Sequence, residues 1–217
     1  SYSEGSKNIL NNVNFKINKQ EKVAIIGRSG SGKTTCMKML IGIHQPNSGN
    51  IYVDNKNIKD IQFDHLRENV VYINQRTNLF QDSVLNNIKF GNTVTTKEIE
   101  HVIKKYQLET IYAGLNEGLE TNTGVNGGNL SLGMQKITIL LRGIFKESKI
   151  IIFDEPLAGL DANTRQKIIK LITEYCSDKT VIVITHDKEI LPYMNRIINI
   201  SDLNNKSQST TVNPMSV

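Results

Sequence analysis

Gly27-Arg28-Ser29-Gly30-Ser31-Gly32-Lys33-Thr34 decides how this chain is read. It satisfies the phosphate-binding pattern G-x-x-x-x-G-K-[ST] at every fixed position. The flanks fit as well. Val23-Ala24-Ile25-Ile26 is a short apolar run of the kind that forms a buried strand, and residues 35–43 carry apolar side chains at helical spacing. Strand, glycine-rich turn and helix, in that order, aim a row of backbone N–H groups at an anion. Gly27, Gly30 and Gly32 admit positive φ and let the backbone come close to phosphate. On this reading the loop and Thr35 after it bind a nucleotide. Lys33 reaches the β- and γ-phosphates, and the Thr34 hydroxyl ligates Mg²⁺. A chance glycine turn would have no need of both flanks.

A second stretch completes the chemistry. Ile150-Ile151-Ile152-Phe153 is a continuous apolar run, the mark of a strand buried on both faces, and Asp154-Glu155-Pro156 follows it. In a phosphate-loop fold such an Asp lies beside the loop and holds Mg²⁺, usually through water. Glu155 is then placed to polarise a water aimed at the γ-phosphate. An Asp-Glu pair alone is most often a solvated strand end; behind four apolar residues and beside an intact loop it is specific.

The remaining segments set the fold. Residues 2–20 read as a β-hairpin region, 23–26 as the central strand, and 51–54, 70–73, 181–184 and 196–200 as further strands. Residues 97–108, 132–145 and 162–175 read as helices, with Ser131 near the N-terminus of the second. Strands alternating with helices give an α/β fold around a mainly parallel sheet. An N-terminal antiparallel β subdomain and an inserted helical subdomain over about residues 77–146 are expected on it. The domain is expected to span 1–203. Residues 204–217, rich in Ser, Thr and Asn, are expected to be a disordered tail.

The bulk numbers exclude more than they assign. The chain has 217 residues, 38% of them hydrophobic, and a net charge of +5. Its lysines are scattered without aromatic interleaving, so nucleic acid is not expected as a partner. Cys36 and Cys176 sit far apart at apolar helix positions and read as small core residues. No apolar run approaches the roughly 18–20 residues that a membrane-spanning helix needs. A start at Ser1 rather than Met suggests a piece of a longer protein.

Taken in order, these motifs resemble the nucleotide-binding domain of an ATP-binding cassette (ABC) transporter, to about residue 203. The resemblance implies that Tyr2 stacks on adenine and that Gln75 touches Mg²⁺ and the attacking water and couples to the membrane domain. Leu130-Ser131-Leu132-Gly133-Met134 holds the signature position, usually Leu-Ser-Gly-Gly-Gln, and Arg142 matches an Arg on the helix after it. Leu160-Asp161 ends the loop that crosses the dimer interface, and His186 contacts the γ-phosphate. It further implies ATP and Mg²⁺ as ligands and a second nucleotide-binding domain as head-to-tail partner, with Ser131 and Gly133 acting on the ATP held by that partner. Transmembrane domains fused upstream and a place on the cytoplasmic face of a membrane follow from the same likeness, the fragment itself being soluble.

The departures from the family pattern carry information. Leu132 adds bulk where a partner's nucleotide approaches, and Met134 replaces the signature Gln. Gln20 stands where a Gly is common. Residues 121–127 resemble the exporter stretch Thr-Glu-Val-Gly-Glu-Arg-Gly with Asn122, Val125 and Asn126 at its charged positions. Asp187 after His186 is importer-like, whereas residues 81–91 are exporter-like; the balance favours an exporter. A non-transport ABC ATPase of DNA repair or translation is the alternative. Only about 100 residues separate loop from signature, with no sustained heptads for a coiled coil. A phosphate-loop kinase leaves Glu155, the signature and His186 without a job.

Overall fold

The computed structural model describes residues 9–74 and 77–206. Along the chain run β1 (Lys22–Ile26), α1 (Lys33–Leu40), β2 (Tyr52–Val53), β3 (Lys56–Asn57), α2 (Phe63–Asn69) and β4 (Val70–Ile73). Then come α3 (Val84–Lys89), α4 (Thr96–Lys105), α5 (Glu109–Tyr112), α6 (Leu132–Phe145), β5 (Ile150–Asp154), α7 (Ala162–Lys170), β6 (Thr180–Ile184), β7 (Arg196–Asn199) and α8 (Ile200–Lys206). Five strands form one parallel sheet in the order β4-β5-β6-β1-β7, while β2 and β3 pair antiparallel.

The continuous apolar runs follow from burial on both faces. Val71, Ile151, Phe153, Val181 and Val183 face one core with Ile137, Leu141 and Ile144 of α6 and Ile168 of α7. Val70, Ile152, Ile182, Ile184, Val23 and Ile25 face a second core with Met37 of α1 and Leu66 of α2. Helix α6 lies close on β4: a Cβ at Gly143 would stand 2.2 Å from Ile73 Cδ1. Both cysteines are in keeping with core positions, burial raising the Cys36 thiol to about 11 and the Cys176 thiol to about 12.

Four elements differ from the sequence reading. The middle strand is β6, buried at all five positions, and β1 stands beside it because β7 adds outside β1. Residues 9–20 form no strand, and residues 2–8 of the segment read as a hairpin lie outside the described residues. Phe15 and Ile17 turn toward the second core as their alternation requires, but the segment runs along a cavity of about 2000 Å³ and has no partner strand among the described residues. Alternation sorts side chains to two faces without supplying the backbone partner a strand needs. The third helix stops being α-helical at Lys170 and continues as a π turn over Leu171–Tyr175. At the end of β7, Ile200 opens α8 instead of closing a strand, and that helix takes in three residues of the segment read as a tail. Residues 207–217 lie outside the described part.

Candidate functional site

Three strands carry the candidate residues at their carboxyl ends, side by side. The phosphate loop follows β1, Asp154 and Glu155 close β5, and Thr185-His186 closes β6, which lies between the other two. The crevice outside the carboxyl ends of parallel strands is where open α/β sheets bind ligands. The loop has the backbone its glycines allow, with φ of 153° at Gly27, 75° at Gly30 and 93° at Gly32, the residue that caps α1. Lys33 is buried and curls over the loop, its Nζ donating to the carbonyls of Gly27 at 2.8 Å and Arg28 at 3.1 Å. Burial lowers its pKa, and the carboxylates of Glu155 and Asp154 oppose that shift.

Oxygen donors gather beside it. Thr34 Oγ1 lies 3.4 Å from Asp154 Oδ2, and that same oxygen accepts the Tyr72 hydroxyl at 2.5 Å. Burial, followed by the hydrogen bond to Asp154 and its charge, pushes the Tyr72 hydroxyl well above its usual range. Two hard oxygens at this spacing fit Mg²⁺, which takes one or two protein oxygens and completes its shell with water and substrate phosphate. Among the described residues no group of three or more His, Cys, Asp and Glu forms a protein-only metal cage.

Glu155 sits in a left-handed conformation, φ 52°, with its N–H donating to the Ile184 carbonyl at 2.8 Å. Such an outlier persists only where its surroundings hold it, and it aims the side chain across β6. There Glu155 Oε2 accepts from Thr185 Oγ1 at 3.3 Å and from the His186 N–H at 3.4 Å, while Oε1 stands 3.6 Å from His186 Nε2. Lys136 of α6 also faces Glu155. Burial lowers its pKa, the Glu155 charge raises it, and its Nζ donates to the Ala158 carbonyl at 2.5 Å.

Two predicted residues cap helices instead of joining this cluster. Ser131 caps α6, its Oγ accepting from the Met134 N–H at 3.2 Å, and Leu132 beside it is 82% exposed. A Cβ at Gly133 would meet only Ser131 Oγ, at 3.9 Å, so this helix end is open. Asp161 caps α7 through the Thr164 N–H at 3.0 Å, and hydrogen bonds from Thr164 hold its carboxyl below the usual range. Arg142 grips buried Asn87, donating to its Oδ1 at 2.6 Å and its carbonyl at 2.7 Å, and lies over the Phe80 ring. Tyr2 and Gln75 lie outside the described residues.

Several neighbours escaped the sequence reading. Ser201 accepts the Arg28 N–H at 3.1 Å, so α8 buttresses the loop. Tyr72 had one available signal, a hydroxyl within an otherwise apolar strand. Arg165 binds Asp187 at 3.1 Å and Glu189 at 3.0 Å, which gives Asp187 a partner within the chain.

Fold and site together define a P-loop nucleotide-binding domain. A profile of the family described as "ABC transporter" matches residues 10–158. The chain is 39% identical over 191 residues to "ABC transporter ATM1" of Plasmodium falciparum, covering 88% of this chain and 18% of that protein. It is 36% identical over 195 residues to the mitochondrial "Iron-sulfur clusters transporter ATM1" of Kluyveromyces lactis, covering 88% and 27%. A solved structure, "Structure of a bacterial Atm1-family ABC exporter with ATP bound", superposes with a TM-score of 0.83 at 28% identity over 92% of this chain and 35% of that one. The chain belongs to the ABC transporter family. It spans only 18% to 27% of the length of these two relatives.

Proposed function

We propose that this chain binds and hydrolyses ATP with Mg²⁺ and so powers export across a membrane. The observation that carries the reading is the gathering of Lys33, Thr34, Asp154, Glu155 and His186 at the carboxyl ends of three adjacent strands. Loop N–H groups and Lys33 bind the phosphates of the substrate, the ammonium exchanging backbone carbonyls for charged oxygens. Thr34 and Asp154 would hold Mg²⁺, with Gln75 assigned to it by family likeness; when bound, the ion neutralises charge on the β- and γ-oxygens. Glu155 accepts the proton of the attacking water, and His186 orients that carboxylate and meets the γ-phosphate. Gly27, Arg28, Ser29, Gly30, Ser31, Gly32 and Thr35 complete the cradle, and Tyr2 stacks on the base.

Ser131 and Gly133, at the open N-terminus of a 14-residue helix, suit an anion brought by a second copy or a close relative of this domain. Asp161 lies in that contact. The upstream transmembrane domains and the cytoplasmic membrane face belong to the same reading, supported by relatives such as the "Putative export ATP-binding/permease protein" of Rickettsia felis. Among the described residues no helix is long and apolar enough to cross a membrane.

Size-exclusion chromatography of Glu155→Gln with ATP, alone and with Leu132→Gly added, tests the pairing. A dimer in both supports a homodimer. A dimer only with Leu132→Gly shows that the exposed leucine bars self-pairing and points to a heterodimer. No dimer in either, with ATP bound, contradicts the two-ATP sandwich for this chain.

A further inference from the structure

We propose that Arg165 is a positioning residue that couples the loop ending at Asp161 to Glu155, acting through Asp187 and Thr185. The proposal rests on the ATPase reading of Glu155. A continuous hydrogen-bonded path carries it. Arg165 Nε donates to the Leu160 carbonyl at 2.9 Å, and Nη1 donates to Asp187 Oδ2 at 3.1 Å. The Asp187 N–H donates to Thr185 Oγ1 at 2.9 Å, which leaves the threonine hydrogen to donate to Glu155 Oε2 at 3.3 Å. Each donor–acceptor pair has the polarity the next one needs, and such chains strengthen cooperatively.

The surroundings make the link stiff. Asp187 Oδ1 accepts the Glu189 N–H at 2.9 Å, closing the turn on itself. Glu189 takes a second bond from Arg165 at 3.0 Å and one from Gln166 at 2.9 Å. A planar guanidinium can hold three acceptors from two segments, the Leu160 loop and the 185–189 turn, at fixed angles, which a lysine ammonium on its flexible stem cannot. The Arg165 side chain is 31% exposed, so solvent screens its ion pairs and they add little stability. Its geometry matters more. A shift of Leu160 drags Arg165 and the 185–189 turn, and with them the hydroxyl and the His186 N–H that hold Glu155 Oε2. The aim of the carboxylate thereby follows the position of a loop expected at the subunit contact.

Steady-state ATP hydrolysis of the protein and of Arg165→Met, Arg165→Lys, Thr185→Val and the Arg165→Met/Thr185→Val pair tests this, with the thermal midpoint of each. Arg165→Met is expected to lower kcat about tenfold while KM for ATP stays within about twofold, the signature of a lost orientation rather than lost binding. Thr185→Val is expected to do the same. The double variant should be no slower than the worse single one, because both cut one path. Arg165→Lys keeps the charge and the fold but not the fork, and about a threefold loss is expected. Wild-type kcat in the Arg165 variants, additive losses in the double variant, or kcat falling only in step with the thermal midpoint would each overturn the relay. A wild-type protein without Lys33-dependent hydrolysis would instead overturn the ATPase reading, and the relay with it.

Discussion

Replacing Glu155 by Gln separates the basicity of the site from its shape. Glu155 Oε2 accepts from Thr185 at 3.3 Å and from the His186 N–H at 3.4 Å, and an amide oxygen in that place keeps both bonds. The other position, where Oε1 stands 3.6 Å from His186 Nε2, becomes an NH₂ group that takes no proton. The backbone cost of φ 52° falls on Gln as it does on Glu. What is lost is therefore charge and basicity. Loss of a general base costs about 10²–10⁴ in rate, or roughly 3–5 kcal/mol of barrier. Binding moves the other way. One of the two carboxylates around the loop disappears, and ATP, itself anionic, is repelled less. Phosphate release at saturating Mg–ATP should fall at least about a hundredfold, and a parallel ATP titration should show equal or tighter binding. A rate within about threefold of wild type would refute the role given to Glu155, since loss of a general base typically costs about 10²–10⁴ in rate.

Two stability predictions test the frame around the site. Asn87→Ala leaves the Arg142 guanidinium and the Phe80 N–H and carbonyl without the fully buried amide that binds them at 2.6, 2.9 and 2.9 Å. That should cost about 2–4 kcal/mol and lower Tm by roughly 5–15 °C in a thermal melt; a drop under about 2 °C would contradict it. Gln20 occupies a left-handed position, φ 60°, which favours glycine, so Gln20→Gly should raise stability by about 0.5–1 kcal/mol. A lower melting temperature for that variant would show that the bond from Gln20 Nε2 to the Asp178 carbonyl outweighs the backbone strain.

What the sequence disclosed divides by range. The phosphate loop, the strands β4, β5 and β6 and helix α6 with its Ser131 cap were legible because each is a local pattern: a fixed spacing, an apolar run, a capping residue before a 3.6-residue period. The contacts of Tyr72 with Asp154, Ser201 with Arg28 and Arg165 with Asp187 were not. They join residues 82, 173 and 22 positions apart, and the strand order that brings them together leaves no trace in local periodicity. The segment from Val13 to Ile17 shows the converse. Its alternation correctly sorts Phe15 and Ile17 toward the core, yet among the described residues no strand pairs with it. The partner of Asp187 was likewise out of reach until the fold supplied Arg165.

Whether Lys33 holds a nucleotide decides every role assigned above. Its ammonium lies buried over the loop, 2.8 Å from the Gly27 carbonyl and 3.1 Å from that of Arg28, where it would meet phosphate oxygens. A calorimetric titration of Mg–ATP into wild type and Lys33→Ala measures this in one comparison. Loss of a charge-assisted contact worth about 1.5–3 kcal/mol predicts an affinity lowered roughly 10- to 150-fold. Equal affinity in the two proteins would contradict the phosphate-loop assignment and every role derived from it.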